Sequence, residues 1–359
     1  MRIESKYLYF ICVLFCFLGC KSADNSVGIS PMNGFEEYHR GDLRIVFYNA
    51  ENLFDTQNDS LTRDDEFTPE GDKRWTYSRF VQKLNNLYRV FTAIGQGEPP
   101  DIIGMCEIEN YYVLNALIHK TPLSDENMGI VHQESKDARG IDVALLYRKE
   151  TFEPITFQII RIRFPNEPNY NTRDILYVKG VAKSTDTFHV FVNHWPSRWD
   201  GQMFTEASRM FVASQLRLVV DSIFRTDADA NIVIMGDLND YPTDRSVVEV
   251  LNAGLPSKTF ADTTLYNLAA VLNAKGYGTH KNENSWGMLD QMIVSGSLLN
   301  GAAGWKCSPN SIHVFNPYFL LEEDATYLGT KTYRTYLGFV FNGGFSDHLP
   351  VYTDFELTK

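Results

Sequence analysis

Cysteine is scarce in this chain: five among 359 residues, at positions 12, 16, 20, 106 and 307. So few in so long a chain exclude a disulfide scaffold. Cys106 and Cys307, the two outside the first twenty residues, are free or paired for all that sequence says, and Cys106 in "DIIGMCEIEN" reads as a small buried hydrophobe in a strand. Long apolar runs are also missing. A membrane helix needs roughly 20 apolar residues, and the stretch from Tyr7 to Leu18 is shorter than that. No long basic run occurs and the formal net charge is −12, which excludes gripping nucleic acid by a general positive surface. No internal repeat or low-complexity block divides the remainder. The length exceeds an ordinary domain but suits one large layered fold with a sizeable core.

What is present begins with Arg2 and Lys6 ahead of the apolar stretch, which ends in Gly19-Cys20. That is the pattern of a secretory signal. "LFCFLGCKS" resembles a bacterial lipoprotein signal, although Phe17 stands where Leu is usual; a plain signal peptide is the alternative. The resemblance makes Cys20 the lipidated residue and places the protein outside the cell interior, lipid-anchored to a bacterial membrane on its periplasmic or cell-surface side. Residues 21–42, rich in Ser, Asn, Gly and Asp, read as a flexible tether. The folded domain is expected over 43–359.

Short apolar runs then predict strands at 43–49, 101–106, 142–148, 188–194, 231–237 and 290–295. Phe80, Leu84, Leu87, Tyr88, Phe91 and Ile94 share a helical face, and residues 202–224 repeat the pattern. The mixture predicts an α+β fold of two sheets packed face to face with helices outside, a four-layer α/β/β/α sandwich.

Polar residues recur at the strand ends. Asn49 and Glu51 follow the first strand, Glu107 the second, His194 closes "FVNH", and Asp237 and Asn239 close "VIMGDLND"; Asp290 opens one strand and Asp347-His348 precede the last. If these strands are neighbours, the side chains meet on one rim, where oxygen ligands and imidazoles can hold a hard divalent cation and move protons. Each residue also has a plainer role. Asp and Asn at strand ends commonly cap their own turns, Glu107 and Glu109 suit solvated loops, His194 suits a satisfied half-buried ring, and Asp347 suits a turn into an edge strand. Turn chemistry alone does not explain so many such groups at consecutive strand ends.

The ordered set "FYNAEN", "MCEIEN", "VNHWPSR", "GDLND", "LDQMIV" and "FSDHLPV" resembles the endonuclease/exonuclease/phosphatase superfamily, metal-dependent phosphoesterases that include the deoxyribonuclease I-like enzymes. The resemblance runs over residues 43–357, and its strength lies in six motifs in order. "FTPEGDKRWT", "GIDVALLYR" and "RTYLGFVFNGGFSDH" look like an exported, largely Bacteroidetes branch.

The resemblance implies the following roles. Mg²⁺ or Mn²⁺ is held by Glu107 with Asn49 and Glu51, and Asp347 as a further ligand; no Cys/His spacing for zinc is present. Asn239 and His194 bind phosphate, with Arg173 as a clamp. Asp237 orients or deprotonates the attacking water, and Asp290 pairs with His348, fixing its tautomer and favouring its charged form. The general base is left open. Deoxyribonuclease-like members tend to carry a basic residue two places after the metal-binding Glu; here Glu109 stands there, which weakens the case for DNA specifically.

Three readings follow. The first is an exported metal-dependent phosphodiesterase, an endonuclease acting on extracellular nucleic acid. The second applies the same chemistry to a sugar, inositol, nucleotide or phospholipid phosphate. The third is a non-catalytic surface lipoprotein, which predicts loss of core catalytic positions; none is lost. No segment points to a protein partner, and a monomer is expected.

Overall fold

The computed structural model describes residues 40–358 apart from 168–169, 184–185 and 199–200. The signal, Cys20 and all but the end of the tether lie outside the described residues.

Two sheets carry the fold. In the first, Leu43–Leu53 lies between Ile102–Ile108, parallel to it, and Val351–Leu357, antiparallel to it. Asp142–Arg148 and Met128–His132 extend one side, and Trp305–Lys306 the other. The second sheet runs Phe152–Ile160, Ile175–Ala182, Asp186–His194, Asn231–Asp237, Asp290–Ser295, Leu265–Asn267, Ala253–Gly254.

Alternation within Asn231–Asp237 shows how the layers stack. Val233 and Met235 join the core between the sheets, while Ile232 and Ile234 pack with Val212, Leu216 and Val220 of the helix Gln202–Thr226. A strand covered on both faces requires an unbroken apolar run, which "IVIM" supplies. The sheets meet closely at Gly104, where a Cβ would stand 2.6 Å from Met235 Cε. Outside the first sheet lie Tyr77–Ile94, burying Phe80, Leu84, Leu87 and Phe91, and Tyr111–His119. The result is the expected four-layer α/β/β/α sandwich. Cys106 and Cys307 are both free and buried. Among the described residues no helix is long and apolar enough to cross a membrane.

The sequence reading omits the strands Met128–His132, Phe152–Ile160 and Ile175–Ala182, several shorter strands and the helix Tyr111–His119. Phe152–Ile160 is an edge strand with most of its residues exposed, so burial imposes little pattern on it. The short helix Tyr111–His119 is fixed at its start by Asn110, whose side chain accepts the Val113 N–H at 3.1 Å. The aromatic residues of 74–80 and 316–336 divide between core and surface: Trp75, Phe80 and Tyr336 are buried, while Tyr77, Tyr318 and Tyr327 are exposed. Trp75 is buried and donates Nε1 to Phe54 O at 2.9 Å, and Tyr336 lies beside it with ring centroids 6.0 Å apart.

His189 gives the fold a pH dependence. Its Nδ1 meets Tyr177 Oη at 2.7 Å, and burial pushes its pKa from 6.5 down to about 4. The unfolded chain therefore binds this proton more tightly, so stability is full above pH 6.5 and is lost as the pH falls towards about 4. His189→Gln is expected to flatten the pH dependence of urea unfolding across that window by about 1–3 kcal/mol. An unchanged slope would assign the dependence to other groups.

Candidate active site

Register assembles half of the site. His194 pairs with Asp237 across two parallel strands, and Asp237 with Asp290 across the next antiparallel pair. Three functional side chains thus stand on one rung at one end of the second sheet. The first sheet brings Asn49 and Glu107 to the same rim: Asn49 Nδ2 lies 3.2 Å from Asp237 Oδ2 and 3.5 Å from Glu107 Oε1. Ser346 anchors the last turn by donating to Asn49 O at 2.8 Å while accepting the His348 N–H at 3.1 Å.

The strand ends are bent to make this possible. Glu51, Asn52, Glu107 and Asn239 have φ of 50°, 58°, 59° and 50°, a left-handed conformation that costs non-glycine residues about 1–3 kcal/mol each. Local hydrogen bonds hold it: Glu51 N to Asn49 Oδ1 at 2.9 Å, Asn52 N to Glu107 Oε2 at 2.9 Å, and Asn239 N to Asp237 Oδ1 at 3.0 Å. Asn49 and Asp237 therefore cap turns and face the site at once, so the capping role leaves both side chains at the rim.

His348 Nδ1 meets Asp290 Oδ2 at 2.6 Å, and its Nε2 lies 3.8 Å from Asp237 Oδ2. Burial alone would depress this imidazole; the charges of Asp290 and Asp237 override it and hold its pKa well above the usual value. Burial also pushes Asp237 up to about 7, against the pull of His348. His194 is driven the other way. Burial, then the charges of Arg173 and Arg139, keep it neutral, with Nε2 3.8 Å from Asp237 Oδ2 and 3.9 Å from Glu107 Oε1. Two imidazoles on one rim are thus held in opposite protonation states.

Arg173 is buried, with Nη1 3.1 Å from Asp137 Oδ2 and Nη2 donating to Trp195 O at 2.6 Å; Asn239 Nδ2 donates to the same carbonyl at 3.0 Å. Glu107, Arg173, His194, Asp237, Asn239, Asp347 and His348 all line one cleft of about 1190 Å³, while Asn49, Glu51 and Asp290 are buried. Glu109 is not part of that lining. It turns away to accept Asp55 N at 2.6 Å, and burial pushes its carboxyl up to about 8.

Sequence reasoning missed three participants. His280 forms a β-bridge with His348, their rings 4.8 Å apart. Arg334 places Nε 3.0 Å from Glu51 Oε1 and Nη2 2.9 Å from Asp347 Oδ2. Lys83, fully buried on the helix Tyr77–Ile94, lies 3.9 Å from Glu51 Oε2. The available signals were slight: a lone histidine in "GTHKN", and an arginine inside the quoted phrase "RTYLGFVFNGGFSDH".

The donor set suits a divalent cation. Carboxylates, a carboxamide and imidazoles crowd together with no thiol at the rim, and Asp290 Oδ1 and His194 Nδ1 are buried with no hydrogen-bond partner among the described residues. Ligand atoms of Asp237, Asp290 and His348, and of His280, Asp347 and His348, fall within 4.8 Å of one another. Glu107 and Asn49, with Asp237 beside them, would hold the ion, which when bound supplies Lewis-acid neutralisation of a phosphate oxygen.

A two-sheet sandwich with an acid, a carboxylate-bound imidazolium and a hard-cation site in one polar cleft defines a metal-dependent phosphoester hydrolase. Residues 44–357 match the model of the Endonuclease/Exonuclease/phosphatase family, and the chain belongs to that family. A search of curated proteins gives no match. Similar solved structures include a functionally unknown conserved protein of Enterococcus faecalis V583, 13% identical, TM-score 0.52, covering 88% of this chain and 100% of that one. D. rerio TDP2 complexed with single-strand DNA product is 17% identical, TM-score 0.51, with 88% and 98% covered. The Bacteroides thetaiotaomicron mannosyl-6-phosphatase Bt3783 is 14% identical, TM-score 0.52, with 87% and 99% covered. At such identities the likeness is one of fold.

Proposed function

We propose that this protein is an exported, lipid-anchored endonuclease that uses Mg²⁺ or Mn²⁺ to hydrolyse phosphodiester bonds of extracellular nucleic acid. The observation that carries the substrate is the cleft: in a chain of net charge −12, its lining sets Arg63, Arg139, Arg173, Arg198, Lys281 and Arg334 against Glu107, Asp137, Asp237 and Asp347, so cations outnumber acids there. Low-dielectric walls focus such charge on a polyanion even when the molecule as a whole is acidic. The structure of D. rerio TDP2, of the same fold, holds a single-strand DNA product. Glu109, the residue that counts against DNA, faces Asp55 rather than the cleft.

Within this reading Asp237 accepts a proton from the water that attacks in line with the leaving oxygen. His348, kept charged by Asp290, and the neutral His194 and Asn239 donate to the phosphate oxygens as charge builds. Arg173, clamped by Asp137, fixes one edge of the phosphate site. Export and the anchor rest on residues 1–20 and Cys20.

The test is cleavage of supercoiled plasmid by the full chain in detergent, with Mg²⁺ or Mn²⁺ and with chelator. Metal-dependent nicking is expected. A folded, metal-binding protein that leaves plasmid intact would defeat the nucleic-acid reading and move the search to phosphomonoesters, including sugar phosphates, and phospholipids.

A further inference from the structure

Glu51 and Asp347 stand where the family resemblance expects metal ligands, yet in the structure both carboxylate oxygens of Glu51 and Oδ2 of Asp347 take protein donors. Glu51 Oε1 takes Arg334 Nε at 3.0 Å, and Oε2 takes Thr335 N at 2.6 Å with Lys83 Nζ at 3.9 Å. Asp347 Oδ2 takes Arg334 Nη2 at 2.9 Å. One guanidinium edge therefore spans two acids from opposite ends of the chain, in the fork geometry that arginine offers and lysine does not. Lys83 is held in turn by Thr335 Oγ1 at 2.6 Å and by the Phe345 carbonyl, so the arrangement is built from the core outward. Arg334 itself keeps 39% of its side chain exposed and lines the cleft.

We propose that Arg334 takes Glu51 and Asp347 out of the cation's ligand set: it bridges the two acids, leaves a single divalent-cation site at Glu107, and presents its remaining face to the scissile phosphate. A second ion on either acid would stand beside the Arg334 guanidinium and meet its like charge. The inference rests on the hydrolase reading for the meaning of the phosphate, but its test does not.

That test is a titration of the full chain in detergent with Mn²⁺, following free ion by electron paramagnetic resonance. Wild type is expected to bind one Mn²⁺ per chain. Glu107→Gln should weaken that ion by about tenfold or more, whereas Glu51→Gln should change its affinity by less than about threefold. Arg334→Ala, with two acids uncompensated, should bind two ions, and Arg334→Lys should stay at one. Two ions on wild type, or loss of the single ion in Glu51→Gln, would overturn the inference while leaving the hydrolase reading intact. Failure of wild type to bind any Mn²⁺ would overturn both. The Glu51→Gln result decides the matter even if Arg334→Ala does not fold.

Discussion

Asp237→Asn is expected to lower kcat for a phosphodiester by about 10³–10⁴-fold with little change in thermal stability. Asp237 is 2% exposed, lies 3.8 Å from the Nε2 atoms of both His194 and His348, and accepts hydrogen bonds from Asn49 Nδ2 and Asn239 N. The amide keeps the shape but cannot take a proton. It also removes one of the charges that hold His348 protonated, so donor and acceptor fail together. The pH profile separates this from simple misfolding. Burial sets the Asp237 carboxyl at about 7, so the acid limb of kcat/KM in wild type is expected at or below pH 7, moved lower by a bound divalent ion, and absent in the variant. A loss below about tenfold, or an unchanged acid limb, would take Asp237 out of the chemistry and leave the neutral His194 to be tested as the proton acceptor.

Arg44→Ala is expected to destabilise the domain by about 3–5 kcal/mol, read as a lower urea midpoint at unchanged slope. Arg44 is 1% exposed in the first strand. Its Nε and Nη2 meet Asp354 Oδ1 and Oδ2 at 2.7 and 2.6 Å, Nη1 reaches the Ile94 carbonyl, and its guanidinium lies 4.7 Å over the Tyr352 ring. The side chain thus ties the first strand to the last and to the end of the helix Tyr77–Ile94. Alanine leaves a carboxylate, a helix-end carbonyl and a cavity without partners. Arg44→Met with Asp354→Leu should recover most of the loss, because removing both charges avoids burying one alone. If the double variant is as unstable as the single, packing rather than charge is what Arg44 contributes.

Much of the fold was legible because burial on two faces leaves a mark in sequence. Runs such as "NIVIMGD" and "FHVFVNH" have one structural solution in a chain without membrane-length segments. Edge strands bear no such mark, and Phe152–Ile160 went unread for that reason. In the site, the strand-end pattern located His194, Asp237, Asp290 and His348 because strand ends that share a sheet edge share a rim. Glu109 does not line the cleft. Position two after Glu107 suggests a residue facing substrate, but the left-handed turn at Glu107, with φ of 59°, sends the next side chains toward Asp55 instead.

The sequence by itself determined the order of the motifs, the two-faced strands and hence the layered sandwich, and the residue types able to bind a cation and move a proton. Only the tertiary structure decided how those charges are spent. Arg334 meets Glu51 across 283 positions of chain, and His280 reaches His348 through a bridge between distant segments. Coulomb energy depends on separation and on the surrounding dielectric, and neither is a property of order along the chain. The opposite protonation states of His194 and His348, and the pairing of two expected metal ligands with an arginine, exist only once the two sheets have closed on one another.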